Sequence, residues 1–356
     1  MIDSGAGDDS ITGTAGTDEI DGGIDSDTVD YSSLTGVGGI TATLNGATTA
    51  TVTVAGGDND TITNIENLIG NAGDDVFGGD SAVNRFEGLA GADSFSASAG
   101  ADTYVGGDGS DTVDYSGFFS AGAISVNLQG ATATTVTLAG SDNDTISEIE
   151  NVIGTTGNDV IIGDAQDNTL EGRAGNDTFD DGLGADTVLG GDGIDMVVAS
   201  EGADITDGGD GIDTMDFSGL AVGQSIDVEL NGATASAVTI TNGTDQTVSG
   251  IENIIATAGD DRVIGDASPN VIQTLAGNDF LGASAGADTL DGGTGIDTVD
   301  YSGLTGVQRI NVTLNGTNST SVQVVGGTND SISNIENVIG TAGNDTLIGD
   351  TQGNLL

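Results

Sequence analysis

Several residue types are missing from this chain, and each absence excludes a class of protein. Cysteine, histidine and tryptophan do not occur among its 356 residues, and all four basic residues are arginines. Without cysteine the chain has neither disulfides nor a thiol nucleophile, and without histidine it cannot build a Ser-His-Asp triad or an HExxH zinc motif. Apolar runs of the ~18 residues that a membrane helix requires are absent, as is a recognisable signal peptide. The sequence therefore indicates no thiol or triad catalysis and no membrane insertion.

Basic charge is almost absent as well. Fifty-seven acidic residues accompany only Arg85, Arg173, Arg262 and Arg309, which leaves a formal net charge of −53. Repulsion on this scale destabilises a compact chain unless cations bind, and it makes nucleic acid and anionic membranes poor partners. Such acidity with few aromatics is typical of disorder, but 36% of the residues are hydrophobic and they recur periodically. We therefore expect a folded chain whose partners include cations and no nucleic acid.

A nine-residue repeat occupies more than half of the chain. Its pattern is G-G-x-G-x-D-x-U-x, where U is a large apolar residue, and GGDGSDTVD at residues 106–114 is a complete copy. Glycine-rich repeats in register indicate a stacked architecture in which each copy is one structural unit. The copies run without interruption in five blocks, residues 4–30, 70–114, 154–216, 256–300 and 340–356.

A longer period sets the size of one structural turn. The marker DTVDYS begins at Asp27, Asp111 and Asp297, with DTMDFS at Asp213 as the third copy, and the marker IEN recurs at the same intervals. The middle interval exceeds the other two by the length of two nonapeptides, and insertions into a stacked repeat must be whole turns to keep the register. The sequence thus predicts an all-β fold, a parallel β-roll or β-solenoid with two nonapeptides in each 18-residue turn.

Each nonapeptide is expected to form a six-residue turn and a three-residue strand. Glycines permit the positive φ angles of the turn, and the middle residue of the strand, U, faces inward. Aspartates two nonapeptides apart then stack about 4.8 Å apart along each edge of the roll. A row of carboxylates needs a hard divalent cation, and calcium takes 6–8 oxygens from carboxylates and backbone carbonyls in flexible geometry. The spacing therefore predicts calcium cages shared between consecutive turns.

The candidate ligands are the aspartates at the sixth position of the nonapeptide. Nine pairs of them lie two nonapeptides apart within a block, and together with three Asp–Asn pairs they suggest about nine to twelve ions. The candidates are Asp9, Asp18, Asp27, Asp75, Asp93, Asp102, Asp111, Asp159, Asp177, Asp186, Asp195, Asp204, Asp213, Asp261, Asp279, Asp288, Asp297 and Asp345.

The nonapeptide resembles the repeats-in-toxin (RTX), or hemolysin-type, calcium-binding repeat. That resemblance covers 22 nonapeptides, and it implies a parallel β-roll with calcium bound in the turns by the sixth-position aspartate. Complete G-G-x-G-x-D copies end only at Asp111, Asp195, Asp213 and Asp297. Sites are expected to be weak or empty where asparagine replaces the aspartate, at Asn84, Asn168, Asn270 and Asn354.

Four 39-residue inserts separate the blocks, at residues 31–69, 115–153, 217–255 and 301–339. Their alternating strands predict longer-stranded coils that continue one solenoid over residues 1–356. The aromatic residue of the first marker either packs at the junction or is an exposed binding residue, and packing is the favoured interpretation. These aromatics are Tyr31, Tyr115, Phe217 and Tyr301.

Two sets of acidic residues in the inserts leave alternatives open. The glutamates of IEN are either additional metal ligands or carboxylates that face solvent or bond a turn; they are Glu66, Glu150, Glu252 and Glu336. A second set resembles the sixth position of the nonapeptide and is equally compatible with calcium binding or its absence; it comprises Asp60, Asp144, Asp245 and Asp330.

The pattern favours a non-enzymatic, calcium-binding structural protein that folds and stiffens on binding Ca²⁺. An extracellular or cell-surface filament, surface layer or adhesin stalk is expected, exported by a signal-peptide-independent, type I-like route. End-to-end self-association is a further expectation, because the chain spans very nearly a whole number of periods. The alternative is an RTX secretion or folding module of a larger toxin, adhesin or enzyme. A polysaccharide-acting enzyme is disfavoured, because the acidic residues follow the calcium period.

Overall fold

The computed structural model describes residues 1–118 and 122–356, and within them the chain is all β. No helix capable of spanning a membrane occurs in these residues. The chain divides into two compact units, Met1–Ala174 (unit 1) and Gly175–Leu356 (unit 2). The all-β prediction is confirmed, whereas the single continuous solenoid over residues 1–356 stays a prediction.

The described residues of unit 1, 1–118 and 122–174, form nineteen short strands. They are β1 (Ile2–Asp3), β2 (Ser10–Thr12), β3 (Glu19–Asp21), β4 (Thr28–Asp30), β5 (Ile40–Thr43), β6 (Ala50–Val54), β7 (Asp60–Thr63), β8 (Asn67–Ile69), β9 (Val76–Gly78), β10 (Arg85–Gly91), β11 (Ser94–Ser96), β12 (Thr103–Gly109), β13 (Thr112–Asp114), β14 (Ile124–Asn127), β15 (Thr134–Leu138), β16 (Asp144–Ser147), β17 (Asn151–Ile153), β18 (Val160–Ile162) and β19 (Thr169–Ala174).

These strands form two sheets that the chain visits alternately. One sheet has the order β1-β3-β7-β6-β5-β9-β11-β13-β17-β19. The other has the order β2-β4-β8-β10-β12-β16-β15-β14-β18. Most pairings are parallel, as a stacked roll requires.

Unit 2 repeats this arrangement with twenty-one strands. They are β20 (Thr178–Asp180), β21 (Thr187–Gly193), β22 (Met196–Val198), β23 (Ile205–Gly211), β24 (Thr214–Asp216), β25 (Ile226–Glu229), β26 (Ser236–Ile240), β27 (Gln246–Ser249), β28 (Asn253–Ile255), β29 (Arg262–Ile264), β30 (Val271–Gln273), β31 (Ala276–Gly277), β32 (Phe280–Gly282), β33 (Thr289–Asp291), β34 (Thr294–Gly295), β35 (Thr298–Asp300), β36 (Arg309–Thr313), β37 (Thr320–Val325), β38 (Asp330–Ser333), β39 (Asn337–Ile339) and β40 (Thr346–Ile348).

Its two main sheets again alternate along the chain. The first has the order β21-β23-β27-β26-β25-β29-β32-β35-β39. The second has the order β20-β22-β24-β28-β30-β33-β38-β37-β36-β40. Strands β31 and β34 form a small parallel pair of their own.

The strand register confirms the 18-residue turn. Ile11 pairs with Val29, and Phe86 pairs with Tyr104, so the partners are two nonapeptides apart. These U residues lie in the core between the sheets of their unit, where nearly all of them are fully buried. Phe86 on one sheet stacks on Phe77 of the other, with 5.6 Å between ring centroids. The apolar period thus places one core side chain per nonapeptide between the two sheets.

The inserts contain longer strands than the nonapeptides, as the sequence predicts, but part of their pairing is antiparallel, which the sequence analysis did not predict. In the first insert the parallel stack does continue, because β8 pairs with β4 across the insert, with Asn67 opposite Thr28. On the opposite sheet, however, β5, β6 and β7 form an antiparallel meander between β3 and β9. The other three inserts contain the same meander, and residues 119–121 of the second insert lie outside the described residues. An insert is therefore one ordinary turn plus an antiparallel hairpin.

The marker aromatics pack at the junctions between blocks and inserts, as expected. Tyr31, Tyr115, Phe217 and Tyr301 are fully buried. The Tyr31 hydroxyl donates a hydrogen bond to Asp60 Oδ2 at 3.1 Å. This contact joins the end of a block to the meander that follows it.

Candidate calcium-binding turns

The sixth-position aspartates connect each turn to the preceding one. Their Oδ1 atoms accept a hydrogen bond of 2.7–3.0 Å from the backbone N–H of the residue two nonapeptides earlier. This holds for Asp27, Asp93, Asp102, Asp111, Asp195, Asp204, Asp213, Asp279, Asp288 and Asp297. One oxygen of each carboxylate thus accepts a hydrogen bond from a backbone N–H.

The remaining predicted ligands belong to the same rows. Asp75, Asp159, Asp261 and Asp345 accept from the first strand of an insert, at Ile40, Ile124, Ile226 and Ile310. The N–H groups of Asp9, Asp18, Asp177 and Asp186 donate to the next aspartate of their row. The structure therefore brings all eighteen candidates into hydrogen-bonded rows. Fifteen are buried, and Asp9, Asp18 and Asp345 are half-buried.

The second carboxylate oxygen divides the turns into two classes that the sequence analysis did not separate. In one class, here called capped turns, the second residue of the nonapeptide donates a hydrogen bond to the aspartate. Ser98 and Ser284 donate their hydroxyls to Asp102 and Asp288 at 2.7 Å. The other donors at this position are Thr14, Asn71 (through its backbone N–H), Thr155, Thr257 and Thr341.

In the second class, here called open turns, the second residue has a positive φ and supplies no such donor. It is usually glycine, as in Gly107 (φ 116°), but Leu89 (φ 81°) and Leu275 (φ 62°) adopt the same conformation. Positive φ is costly for a leucine, so this backbone geometry is retained against its conformational preference. In open turns Oδ2 of the aspartate is buried without a hydrogen-bond donor, at Asp9, Asp27, Asp93, Asp111, Asp195, Asp213, Asp279 and Asp297.

Backbone carbonyls lie beside these unpaired oxygens. A Cβ on Gly190, the first residue of its nonapeptide, would lie 2.5 Å from Asp195 Oδ2 and would also collide with the Gly208 carbonyl. At Gly88 the same collision involves Asp93 Oδ2 and, at 2.8 Å, the Gly106 carbonyl. Two acceptors therefore face one small space between consecutive turns. Glycine at the first position keeps this space free in most open turns. Ser4 and Thr274 are the first residues of two others, and they donate their hydroxyls to the Gly22 and Gly292 carbonyls.

Where no further nonapeptide follows a turn, a residue of the insert supplies the backbone carbonyl that lies beside that turn. The residue before each IEN marker has a positive φ, at Asn64 (53°), Glu148 (54°), Gly250 (60°) and Asn334 (54°). Its carbonyl oxygen lies against the first glycine of the preceding marker nonapeptide, at Gly22, Gly106, Gly208 and Gly292 respectively. The sequence analysis missed these residues, although asparagine and glycine at three of the four positions are a signal for positive φ.

The glutamates of IEN bond a turn, which is one of the two alternatives that the sequence leaves open. Glu66, Glu150, Glu252 and Glu336 accept the backbone N–H of Asp27, Asp111, Asp213 and Asp297 through Oε2 at 2.8–2.9 Å. Each occupies the place in the row that a sixth-position aspartate holds elsewhere. A role as metal ligand stays a prediction.

The prediction that four insert aspartates resemble the sixth position of the nonapeptide is wrong for one of them, Asp245. Asp60, Asp144 and Asp330 are buried and accept N–H groups of the row, from Asp18, Asp102 and Asp288. Asp245 does not belong to this set. Its Oδ1 accepts from Ile240, as Asn59 accepts from Val54, and the buried residue at the row position is Gln246. The motif is displaced by one residue in the third insert.

Where asparagine occupies the sixth position of the nonapeptide, its amide group makes hydrogen bonds at the place where an aspartate would need a cation. Asn84 Oδ1 accepts from Asp80, while its Nδ2 donates to the carbonyl of Glu66 at 3.1 Å. Asn168 and Asn270 make the same donation to Glu150 and Glu252. The amide group thus satisfies a carbonyl internally, which agrees with the expectation of weak or empty sites there.

A comparison with known families identifies these turns. The model of the RTX calcium-binding nonapeptide repeat matches residues 1–30, 78–113, 148–179, 180–215, 247–268, 264–299 and 326–354, more than half of the chain. The chain belongs to the RTX calcium-binding repeat family. No curated protein matches it. As an RTX-repeat protein it binds calcium ions.

The donor set of the open turns fits calcium. Carboxylate and carbonyl oxygens are the ligands that Ca²⁺ prefers, and most open turns present both without a competing hydrogen-bond donor. In the described residues no three acidic side chains form a ready-made metal centre. A calcium ion between two turns would be held by carboxylates of both turns together with backbone carbonyls, which the positive-φ glycines and insert residues expose.

The buried negative charge of the aspartate rows also favours the binding of a cation. Burial, with a smaller contribution from the neighbouring carboxylate of the row, raises the pKa of Asp93 to about 6 and that of Asp111 to about 7. Within the described residues the ion pairs join Arg85, Arg173 and Arg262 to surface carboxylates rather than to the rows. The buried negative charge is thus not compensated by protein cations, and a bound divalent ion would remove this cost.

Proposed function

We propose that this chain is an extracellular structural repeat protein whose roll is folded and stiffened by calcium, with no catalytic activity. The observation that carries the proposal is the unpaired, buried Oδ2 of the open turns, which faces a carbonyl oxygen of the next turn. Two acceptors in contact repel each other, and burying them without a donor or cation is unfavourable. A calcium ion between consecutive turns would be bound by both oxygens and would thereby join the two turns.

Secretion is consistent with this dependence. RTX repeats typically belong to secreted proteins. Calcium modules outside cells commonly bind with Kd of about 10⁻⁴–10⁻³ M, so millimolar calcium fills them whereas cytosolic calcium does not. The chain would remain unfolded and exportable inside the cell, and it would fold outside. The alternative function, a secretion or folding module within a larger toxin, adhesin or enzyme, uses the same calcium switch.

Circular dichroism of the purified chain tests the proposal. We expect a largely disordered spectrum in chelator and a β-rich spectrum in millimolar calcium. Magnesium at the same concentration is the matched control, because Mg²⁺ demands near-ideal octahedral geometry and retains its waters, and it should fold the chain poorly. A chain that is equally β-rich in chelator would refute calcium-dependent folding.

Self-association end to end is part of the same proposal. Outermost strands of a parallel roll carry unpaired backbone groups that can template a further strand. Sedimentation velocity at several protein concentrations, in calcium and in chelator, measures it directly. A concentration-independent monomer in calcium would remove self-association from the proposal and leave calcium-dependent folding intact.

A further inference from the structure

The first two strands of the meander in each insert are joined by the same tight turn. In the first insert the Thr48 N–H donates to the Asn45 carbonyl at 3.0 Å, and Gly46, the second residue of this β-turn, has a φ of 54°. Glycine suits that position because a positive φ is costly for other residues. The other inserts repeat the turn in chain order with Gln129–Gly130, Asn231–Gly232 and Asn315–Gly316.

The asparagine of this turn is exposed beside a free backbone nitrogen. Asn45, Asn231 and Asn315 are all exposed. The N–H of the second residue takes no part in the hydrogen bond of a β-turn, and in the described residues the Gly46 N–H donates to no acceptor. Glycine also has no side chain to hinder approach of this nitrogen to the preceding side-chain amide. The turn therefore leaves a nucleophile and an amide carbon next to each other in solvent.

A fourth Asn-Gly pair, Asn242–Gly243, has a different geometry. The Gly243 N–H donates to the Ile240 carbonyl at 3.1 Å, and Asn242 itself has a φ of 60°. Asn242 is exposed like the other three asparagines, but the nitrogen that follows it is held in a hydrogen bond. The sequence makes the four pairs equivalent, whereas the structure separates three of them from one.

The turn glycine also holds the insert residue whose carbonyl lies beside the preceding marker nonapeptide. The Gly46 carbonyl accepts the Asn64 N–H at 2.8 Å, and the carbonyl of Asn64 is the one that lies against Gly22. The other inserts repeat this hydrogen bond at 2.7–2.9 Å, from Glu148 to Gly130, from Gly250 to Gly232 and from Asn334 to Gly316. The hairpin turn thus positions an oxygen that faces the space between two turns of the roll.

We propose that Asn45, Asn231 and Asn315 are sites of spontaneous deamidation, and that isoaspartate formed there weakens the calcium-binding turn beside the insert. The glycine nitrogen attacks Cγ of the asparagine and gives up its proton. The Cγ–Nδ2 bond then breaks, and Nδ2 leaves with that proton as ammonia. Water opens the resulting succinimide at either of its two carbonyls, which yields aspartate or isoaspartate. Solvent water is the one co-reactant.

Isoaspartate changes both the length and the charge of the turn. The main chain gains one methylene group between residues 45 and 46, which displaces the Gly46 carbonyl from the Asn64 N–H. The Asn64 carbonyl then loses the contact that positions it beside Gly22. The turn also faces a carboxylate already, because Asp80 Oδ2 lies 3.3 Å from the place of a Cβ on Gly46. The link to calcium rests on the proposed calcium-dependent folding, whereas the deamidation itself does not.

Peptide mass spectrometry of the aged full chain tests the assignment. The chain is incubated in millimolar calcium at mildly alkaline pH and digested with pepsin in acid, which limits further deamidation. We expect the mass gain of an NH₂-to-OH exchange at Asn45, Asn231 and Asn315. Asn242 should convert several-fold more slowly, and Gln129 should stay unmodified because glutamine would have to close a six-membered ring. In chelator, where the Gly243 N–H is released, Asn242 should convert as fast as the other three.

The calcium midpoint of folding, measured by circular dichroism before and after ageing, tests the consequence. The midpoint of the wild type should rise as isoaspartate accumulates. The matched control is the triple variant Asn45→Gln, Asn231→Gln and Asn315→Gln, which carries the residue found at position 129 and should keep its midpoint.

Conversion of Asn242 as fast as the three turn asparagines in calcium overturns the proposal. So does a wild-type midpoint that stays constant while isoaspartate accumulates, or a triple variant whose midpoint drifts equally. Failure of calcium-dependent folding would look different, because the fresh chain would then be equally β-rich in chelator and in calcium.

Discussion

Replacing Asp93 by asparagine should remove one calcium ion without breaking the backbone contact that Asp93 makes. Asp93 Oδ1 accepts the Asp75 N–H at 2.7 Å, and an asparagine Oδ1 can accept it equally. Oδ2, which lies beside the Gly106 carbonyl without a donor, becomes an NH₂ group that can donate to that carbonyl. The open turn would then resemble the asparagine positions, where an amide takes the place of the ion.

The size of the effect follows from the calcium concentration. An ion with a Kd of about 10⁻⁴–10⁻³ M stabilises the fold by RT ln(1 + [Ca²⁺]/Kd), which is about 1.4–2.7 kcal/mol at about 10 mM calcium. Asp93→Asn should lower the free energy of unfolding by that amount. At low calcium the sign should reverse, because the substitution removes a buried carboxylate that has no donor.

Urea unfolding followed by circular dichroism, at a series of buffered calcium concentrations, measures both effects. The slope of the free energy of unfolding against the logarithm of calcium gives the number of ions released, and it should fall by about one. Asp102→Asn is the matched control, because Asp102 is equally buried but lies in a capped turn with Ser98 as donor. An unchanged slope for Asp93→Asn, or an equal loss for Asp102→Asn, would refute the distinction between open and capped turns.

Three further predictions follow from the same geometry. In chelator, acidification from about pH 7 to pH 4 should increase the β-rich fraction. The pKa of Asp111 and of Asp279 is raised to about 7 from an ordinary 3.8, so the folded state binds more protons and is favoured as pH falls through this range. A circular dichroism signal independent of pH would contradict this. Atomic absorption on the dialysed, calcium-saturated chain should count about nine repeat-site ions, about five between consecutive open turns and one beside each of the four inserts; a total of two or three would contradict shared cages. Gly292→Ala should raise the calcium midpoint of folding because its Cβ would collide with the Asn334 carbonyl, whereas Gly303→Ala, which meets no atom within 4 Å, should not; equal midpoints for the two variants would remove the steric argument.

The fold and the rows of aspartates could be predicted because they depend on spacing alone. The difference between the marker intervals, two nonapeptides, implies a whole turn, and the strand register shows that turn directly, as between Ile11 and Val29. Side-chain direction in a three-residue strand then places U inside, and Phe86 and Tyr104 are fully buried there. Periodicity constrains these features strongly, because a shift of one residue would move every side chain to the other face.

The antiparallel meanders could not be derived from spacing. A 39-residue insert is close to two 18-residue turns with a small remainder, so its length is compatible with parallel coils as well as with one turn and a hairpin. Turn residues distinguish the parallel arrangement from the hairpin only weakly. The connection between β5 and β6 contains Gly46 with φ 54°, but glycine is frequent throughout the chain. Pairing partners of alternating strands depend on tertiary contacts that a single sequence does not specify.

The division into open and capped turns was visible in the sequence but was not recognised. A serine or threonine at the second position, as at Ser98 or Thr257, departs from the G-G-x-G-x-D pattern. Its hydroxyl is a donor within reach of the carboxylate four residues later, and it removes the need for an ion. Conversely, Leu89 lacks any side-chain donor, and its turn stays open despite the absence of the second glycine. The chemistry of the second position, rather than agreement with the full motif, separates the two classes.

This distinction also explains how so acidic a chain can be compact. Capped turns satisfy their carboxylates with hydroxyl or N–H donors, as at Ser98 and Asn71, so they add little to the chain's requirement for calcium. Open turns leave a buried oxygen facing a carbonyl, and the arginines with ion pairs in the described residues lie at the surface. The missing positive charge must therefore come from solution. In blocks 4–30, 70–114 and 256–300 a capped turn, at Thr14, Ser98 or Ser284, lies between two open turns. Ion binding in the open turns therefore brings each of these blocks into register, and the capped turns between them need no ion of their own.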